Sequence, residues 1–406
     1  MKDNNNDKNL NVPHLRFPEF SGEWEKSELH KVASLSKGTG ISKEQLSEEG
    51  LPCILYGELY TKYRCEVINE IISKTNLEPE KLVKSQTNDV VIPCSGETSI
   101  DIATARCVKQ SDVLLGGDLN IIRLKGEYDG AFFAYQLNGK RKYDIARVAQ
   151  GVSVVHLYGE HLKRVKVNYP SITEQKKISS LLTLVDQRIE TQKKIIEDLK
   201  KLKDAISKLL FSRSDLLERK IQLSQVGTLK NGYAFQSSSY TSSGEYEIIT
   251  IANVTGERYI CTEGCNRIHT LPSDLQLHQE LKDGDILISL TGNVGRVSLC
   301  KKGKYLLNQR VGLLQLKAGV NREFVYQALS SRKFELNMIS CAQGAAQMNI
   351  GKGDIESYEI PYSNNPQNLQ SVSLILKSYD KLVLTESTRL QLLLSQKQHF
   401  ISNMFI

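Results

Sequence analysis

Four short stretches combine basic, amide and tyrosine side chains: "LNGKRKYDIAR", "TLKNGYAFQSSSY", "TGNVGRV" and "LNQRVG". Lys and Arg neutralise phosphate groups, Arg pairs with guanine, and Asn or Gln pairs with adenine. Any one such residue is more often a solvated surface residue, so the pattern favours nucleic-acid contact only where several come together. The candidates are Lys37, Thr39, Lys140, Arg141, Lys142, Tyr143, Arg147, Lys230, Asn231, Tyr233, Gln236, Asn293, Arg296, Asn308, Gln309, Arg310 and Gln347.

The elements that must position these residues occur twice along the chain. "GVSVVHLYGEHLKRVKVNYP" (151–170) and "GAAQMNIGKGDIESYEIPYS" (344–363) share the spacing of a Gly, aliphatic residues and a Tyr at an offset of 193 residues. "LHKVASLSKG" likewise matches "LSQVGTLKNG", and "DVVIPCSG" matches "DILISLTG". The sequence therefore predicts an internal repeat, in which short β-like runs broken by Gly and polar turns form two mixed α/β domains.

A long helix follows each copy. Residues 172–211 contain no Gly or Pro and carry apolar residues at three-four spacing, which predicts a long amphipathic helix with a coiled-coil seam. Pro170 and Ser171 stand where a helix start is expected. The segment from 372 onward matches the segment from 178, with Asp186 aligned to Asp380. Because neither apolar stripe can be buried alone, we expect the helices to pack antiparallel.

The predicted fold class is α+β. Two mixed α/β domains are separated by two long antiparallel coiled-coil helices and related by an approximate two-fold axis. The predicted boundaries are a disordered tail over 1–12, a first domain over 13–170, a central helix over 171–215, a second domain over 216–364 and a C-terminal helix over 365–406.

Composition narrows the class of protein. The 406 residues are 40% hydrophobic and 24% charged, which is typical of a folded globular protein. A net charge of +7 favours a polyanionic partner without requiring one. No apolar run approaches the roughly 20 residues needed to cross a bilayer, and "MKDNNNDKNLN" lacks the apolar core of a signal peptide. We expect no membrane association and a cytoplasmic location, with the eight cysteines reduced.

Two patterns could indicate other chemistry. Cys261, Cys265 and His269 lie four residues apart, but no second Cys/His pair stands nearby, so a loop with incidental thiols is favoured over a metal site. An active site around Glu280, Asp283 and Asp285 is an alternative to the simpler interpretation of that stretch as a turn leading into a strand.

The residues also carry a family resemblance. Three features carry it: the residue spacing of "GAAQMNIGKGDI", a short strand near a Pro, and the long helix bearing Asp380. Together they resemble the end of a target-recognition domain and the coil of type I restriction-modification specificity subunits. "VPHLRFPEFSGEW" resembles the opening segment of that family, and the resemblance covers residues 12–406. The first copy has Val154 where the second has Gln347, so a role for Gln347 is expected in the second copy only.

The resemblance implies a non-catalytic subunit that binds double-stranded DNA. Each domain would read one half of an asymmetric, interrupted target, and the helices would set the gap and dock two methyltransferase subunits, to which two restriction subunits attach. The chain itself would hold no cofactor, because S-adenosylmethionine, ATP and magnesium would belong to the partners.

Apolar residues in excess of a two-helix seam provide a docking hypothesis. They could contact the methyltransferase subunits or be covered by the chain's own domains. They are Ile195, Leu202, Leu209, Leu392 and Leu394. A coiled-coil scaffold that does not bind DNA is the alternative function, and salt-sensitive, sequence-selective duplex binding discriminates against it.

Overall fold

The computed structural model describes residues 11–151, 154–342 and 348–406. The chain divides into two compact units: unit 1 comprises Met1–Lys193 and Arg389–Ile406, and unit 2 comprises Lys194–Thr388. Most of the predicted tail over 1–12 lies outside the described residues. Asn11 is described, and its backbone and side chain both hydrogen-bond to the backbone of Trp24.

Unit 1 is built largely from short strands. They are β1 (Glu25–Glu28), β2 (Ala33–Lys37), β3 (Leu46–Ser47), β4 (Leu51–Ile54), β5 (Val67–Ile68), β6 (Ser73–Thr75), β7 (Val83–Lys84), β8 (Asp89–Pro93), β9 (Ser95–Gly96), β10 (Arg106–Val108), β11 (Leu114–Leu115), β12 (Leu119–Leu124), β13 (Val155–His156) and β14 (Lys166–Tyr169). One sheet has the order β2-β12-β8-β10-β5 and a second has the order β3-β6-β4-β11-β7, while β1 pairs with β14 and β9 with β13.

Short helices connect these strands, and a long helix follows them. The helices are α1 (Leu29–Val32), α2 (Glu58–Thr61), α3 (Ser99–Ile102), α4 (Gly130–Asn138), α5 (Lys142–Arg147), α6 (Gly159–Leu162) and α7 (Ile172–Ser212). The long helix predicted over 172–211 is confirmed by α7. It begins after Pro170 because Ser171 caps it, with the Ser171 hydroxyl accepting a hydrogen bond from the Glu174 backbone N–H at 3.4 Å.

Unit 2 repeats this mixture of strands and helices. Its strands are β15 (Arg219–Gln222), β16 (Gly227–Asn231), β17 (Tyr246–Ile249), β18 (Asn266–Ile268), β19 (Glu280–Leu281), β20 (Ile286–Ser289), β21 (Val297–Leu299), β22 (Tyr305–Leu307), β23 (Val311–Leu316) and β24 (Glu359–Tyr362). Its helices are α8 (Arg322–Leu329), α9 (Arg332–Cys341), α10 (Lys352–Glu356) and α11 (Pro366–Asn403). The sheet orders are β16-β23-β20-β21 and β18-β17-β22-β19, and β15 pairs with β24.

The helix α11 has its own start signal. Pro366 occupies the first helical turn, where its missing N–H has no intrahelical partner to lose, and Asn365 accepts a hydrogen bond from the Gln367 N–H at 3.0 Å. The first residues of α11 belong to unit 2 and its last residues belong to unit 1.

An aromatic core closes unit 1 around the end of the chain. The Trp24 ring lies 5.6 Å from Phe132, which in turn lies 5.1 Å from Phe405. The Trp24 indole N–H donates to Glu174 on α7, and Arg16 forms two 2.8 Å hydrogen bonds with the same carboxylate. The segment before β1 and the C-terminal residues are therefore both fixed in the core of unit 1.

The core of unit 2 lies between the β16-β23-β20-β21 sheet and the helices α8 and α11. Ile286 and Leu314 from the sheet, Phe324 from α8 and Leu376 from α11 all belong to one buried apolar cluster. Each unit thus covers a sheet with helices, and the edge of that sheet carries several of the candidate residues.

Candidate nucleic-acid interface

In unit 2, three strands bring candidate residues to one edge of the sheet. Strand β23 runs antiparallel to both neighbours, with Asn231 opposite Gly312 and Ser289 opposite Val311. The ends of β16 and β20 therefore lie beside the start of β23, and the isolated pairing of Thr291 with Asn349 adds a further segment. We call this group the second edge: Asn231, Tyr233, Asn293, Gln309, Arg310 and Asn349.

The side chains of the second edge differ in what they contact. Tyr233 donates a 2.8 Å hydrogen bond from its hydroxyl to Asp274, which raises the pKa of the Tyr233 phenol. Asn308 is buried and its Oδ1 accepts from the Arg310 N–H at 3.2 Å, so this candidate shapes the turn. Gln309 and Arg310 are exposed and remain available to a ligand.

In unit 1, the matching strands form an edge of different composition. Lys37 lies opposite Asn120 in the β2-β12 pair, Pro93 lies opposite Leu119, and His156 lies opposite Ser95. We call this group the first edge: Lys37, Thr39, Glu97, Asp118, His156 and Tyr158. The sequence pattern identified only Lys37 and Thr39 among these residues, because the others do not stand in basic stretches.

Aromatic, basic and acidic groups lie close together on the first edge. The Lys37 ammonium lies 5.9 Å from the centre of the Tyr158 ring, which is stacked on His156 at 6.2 Å. Asp118 has a left-handed backbone with φ of 56°, and its Oδ2 accepts a hydrogen bond from the Ser95 hydroxyl at 3.2 Å. Thr39 faces the protein, since its hydroxyl accepts from the Val83 N–H at 2.9 Å.

Both edges contain a glycine at which one backbone segment passes closely over another. We call this feature the glycine crossing. A Cβ added to Gly38 would lie 2.0 Å from the Gly116 carbonyl oxygen, and one added to Gly232 would lie 2.2 Å from the Asn308 carbonyl oxygen. Both distances are far below any contact that a side chain could make. Glycine is required at both positions because the strand passes directly over another backbone segment.

The basic stretch of unit 1 lies elsewhere, against the end of α11. Lys140, Lys142 and Tyr143 line a cavity of about 750 Å³ together with Leu394 and Lys397. The remaining candidates of this stretch are held differently. The Arg141 guanidinium donates a 2.9 Å hydrogen bond to the Ile406 carbonyl, whereas Arg147 is 80% exposed. The structure thus brings this stretch together with α11, and Arg141 anchors the end of the chain.

The other candidates of unit 2 are spread over the rest of that unit. Lys230 lies on β16 opposite Leu313, and Gln236 precedes a short 3-10 turn. Arg296 lies 3.8 Å from the Glu335 carboxylate. Gln347 lies outside the described residues.

Each unit also buries an aspartate from a long helix. In unit 1, Asp186 on α7 accepts a 2.7 Å hydrogen bond from the Tyr135 hydroxyl and lies 2.6 Å from the Lys397 ammonium. Lys397 also lies 2.7 Å from Glu66. Burial, followed by the nearby Glu66 carboxylate, raises the pKa of Asp186 to about 6.

In unit 2, the buried aspartate comes from α11. Asp380 lies 2.6 Å from the Lys203 ammonium on α7 and 2.8 Å from the Arg258 guanidinium. Gln327 donates a further 2.6 Å hydrogen bond to the same carboxylate. Arg258 also forms a two-pronged pair with Glu323, so every charged group of this cluster has an opposite partner.

Other chemistry finds little support in the described ranges. Within them, no three His, Cys, Asp or Glu side chains come together as a metal site, and no helix is long and apolar enough to cross a membrane. Cys265 accepts a 3.1 Å hydrogen bond from Asn253 instead. Asp285 accepts from the Lys282 N–H at 2.8 Å, which supports the interpretation of this stretch as a turn.

Comparison with known proteins identifies the family. Residues 21–201 and 218–394 match the type I restriction modification DNA specificity domain. The chain belongs to this family. The predicted family resemblance and the prediction of a non-catalytic subunit are confirmed.

Curated relatives extend over nearly the whole chain. The type I restriction enzyme MjaVIII specificity subunit of Methanocaldococcus jannaschii is 24% identical over 397 residues, covering 91% of this chain and 88% of that protein. The putative type I restriction enzyme MjaX specificity subunit of the same organism is 23% identical over 401 residues, covering 93% and 91%.

Solved structures share the fold of this specificity-family chain. The S subunit of a type I restriction-modification system from M. genitalium has a TM-score of 0.62 at 17% identity, covering 97% of this chain and 99% of that one. A structure concerned with complex assembly and conformational transition of the type I R-M system has a TM-score of 0.52 at 13% identity, covering 97% and 99%.

Proposed function

We propose that the chain is the DNA-reading subunit of a type I restriction-modification complex, in which each unit recognises one half of an interrupted, asymmetric target. The observation that carries the proposal is the presence of two family matches in one chain, each containing a glycine-crossed sheet edge. The exposed side chains of the two edges differ at almost every position. Two edges of unlike chemistry favour two unlike half-sites.

Matched hydrogen bonds support the inference that the two units are copies of one fold. The Asp118 carbonyl accepts from Cys94 N–H at 2.6 Å, and the Arg310 carbonyl accepts from Leu290 N–H at 3.0 Å. The Cys94 and Leu290 carbonyls in turn accept from Leu157 and Ile350. An approximate two-fold repeat would give the complex two equivalent readers.

We infer that α7 and α11 pair antiparallel and set the gap between the half-sites. In unit 1, Arg188 and Gln192 line a cleft with Leu392 and Gln396. In unit 2, Lys203 on α7 pairs with Asp380 on α11. Leu216, which follows α7, accepts a hydrogen bond from Asn368 near the start of α11, so the two segments run in opposite directions. A helix of the length of α7, 41 residues, spans about 60 Å, which would bound the gap at about 18 base pairs.

We further propose that the exposed apolar residues of the long helices dock two methyltransferase subunits, to which two restriction subunits attach. The exposed fractions support docking at these positions: Ile195 40%, Leu202 47%, Leu209 62%, Leu392 65% and Leu394 38%. Large apolar groups of this kind mark interaction sites. S-adenosylmethionine, ATP and magnesium would then be bound by the partners.

Duplex binding tests the reading function. The chain is purified with the methyltransferase subunit of its own system and titrated with duplexes at several salt concentrations. We expect sequence-selective binding that weakens steeply with salt, since phosphate contacts release counterions. Binding that shows neither selectivity nor salt dependence would support a scaffold that does not read DNA.

Charge substitution tests the docking surface. Leu202→Lys together with Leu394→Lys places one ammonium group on the proposed docking surface of each unit, and we expect the chain to stay folded but lose co-purification with the methyltransferase. Thr191→Lys with Thr385→Lys is the matched control, because both residues are exposed on the same helices. Retention of the complex by the leucine variant would contradict the docking proposal.

A further inference from the structure

Asp118 and Arg310 occupy the same place in the two edges. Each directly precedes the strand that lies between two antiparallel neighbours, β12 in unit 1 and β23 in unit 2. Each backbone carbonyl accepts a hydrogen bond from the residue directly after a neighbouring strand. This residue is Cys94, after β8, for Asp118 and Leu290, after β20, for Arg310. Both side chains are exposed, so one backbone frame presents a carboxylate in one unit and a guanidinium in the other.

Arg310 has the chemistry to read a guanine. Its backbone is fixed by the hydrogen bond from its N–H to the Asn308 side chain, and both Arg310 and the preceding Gln309 are exposed. A guanidinium can donate two parallel hydrogen bonds to O6 and N7 of guanine. Gln309, one residue earlier, supplies the amide that suits an adjacent adenine.

Asp118 has the complementary chemistry. An ionised carboxylate accepts hydrogen bonds and donates none, and in the major groove it suits the amino group of cytosine. Its left-handed backbone and the Ser95 hydroxyl hold the carboxylate in place through Oδ2. Lys37 and His156 belong to the same edge, where both contact the Tyr158 ring.

We propose that Asp118 and Arg310 are the specificity-determining residues at equivalent positions of the two half-sites, with Asp118 reading a cytosine and Arg310 reading a guanine. This inference rests on the proposed reading function. It assigns the first half-site to the first edge, and it leaves Lys140, Lys142 and Tyr143, which line a cavity with residues of α11, without a base-reading role.

The test measures base preference position by position. The full chain, in complex with the methyltransferase subunit of its own system, is incubated with a duplex library randomised through both half-sites, and bound duplexes are sequenced. We expect Arg310→Ala to relax one guanine in one half-site and Asp118→Ala to relax one cytosine in the other. Loss of one such contact corresponds to a loss of discrimination of roughly 5- to 150-fold.

Matched variants separate reading from general affinity. Lys37→Ala should weaken binding to all sequences alike and reduce its salt dependence, as expected for a phosphate contact. Lys26→Ala removes an exposed cation of β1, outside both edges, and should leave every base preference unchanged. In each variant the unaltered half-site reports that the protein is folded.

The outcomes distinguish this inference from the function on which it rests. A wild-type complex without any base preference would overturn both. A selective wild-type complex whose preferences survive Asp118→Ala and Arg310→Ala, or whose Lys140 variants relax a base instead, would overturn the assignment of Asp118 and Arg310 alone.

Discussion

Unit 1 and unit 2 both bury an aspartate of a long helix, but they surround it with different charges. In unit 1, Asp186 and Glu66 share the single ammonium of Lys397. In unit 2, Asp380 accepts from Lys203, Arg258 and Gln327, and Glu323 is paired with the same arginine. The pKa of Asp186 is raised to about 6 by burial and by Glu66.

The difference shows that one structural position can be stabilised in two ways. Unit 2 balances two carboxylates with two directly paired cations. In unit 1 one cation, Lys397, pairs directly with both carboxylates, and it is assisted by a tyrosine hydroxyl and by the attraction of the buried Arg106 guanidinium for Glu66. Removing a partner from a buried ion cluster leaves an uncompensated charge, and the cost depends on how many partners remain. The cluster of unit 1 should therefore be the more fragile one.

The largest expected effect comes from Lys397→Met. This change leaves Asp186 and Glu66 buried without their shared cation, so we expect the free energy of unfolding to fall by about 3–5 kcal/mol. Urea unfolding of the full chain measures it. Lys203→Met is the matched change in unit 2, since the two lysines are exposed to 16% and 17%. It should cost less because Asp380 keeps Arg258 and Gln327, and an equal or greater loss would break the comparison.

The glycine crossing should behave alike in both units. Gly38→Ala and Gly232→Ala each place a Cβ against a backbone oxygen, and we expect each to lower the free energy of unfolding by about 1–3 kcal/mol. Gly40→Ala is the control two residues away, where no atom lies within 4 Å of an added Cβ. Thermal unfolding of the three variants distinguishes them. A tolerated Gly38→Ala beside a damaging Gly40→Ala would contradict the crossing.

The smallest effect is a pH dependence specific to unit 1. Because the pKa of Asp186 is raised to about 6 from its ordinary value of 3.8, the folded chain binds more protons than the unfolded chain between those pH values. The ionised form is disfavoured, so wild-type stability should fall relative to Asp186→Asn as pH rises from about 4 to about 6, and the difference should be constant above that window. Unfolding measured across pH 4 to 8 checks the sign.

Asp380→Asn provides the matching measurement in unit 2. It removes a carboxylate that accepts from two cations, so the variant should be less stable than the wild type at pH 7. If Asp186→Asn lowers the free energy of unfolding more than Asp380→Asn at pH 7, the expectation that the ionised carboxylate is better stabilised in unit 2 is wrong.

Much of the helical structure could be predicted locally. The run that lacks Gly and Pro between Ser171 and Ser212 predicted α7 to within one residue at its end, because helix periodicity and capping depend on neighbours in sequence. The candidate residues remain predictions. Their surroundings could not be predicted: the hydrogen bond from Arg141 to Ile406 joins residues 265 positions apart, and no local pattern encodes it.

The first edge illustrates the same limit. Asp118, His156 and Tyr158 carry no basic signature and lie far apart in sequence, so only strand pairing identified them as neighbours. Composition favoured "KRKY" over this group, although the structure places that stretch against α11.

The sequence by itself determined the family, the position of α7 and the spacing of the glycines, because periodicity, caps and steric freedom act within a few residues. Only the tertiary structure decided which charges face Asp186 and Asp380 and which side chains share a sheet edge. Those contacts depend on strand register and on how the long helices pack within each unit. The energies that stabilise them arise only after distant segments have packed together.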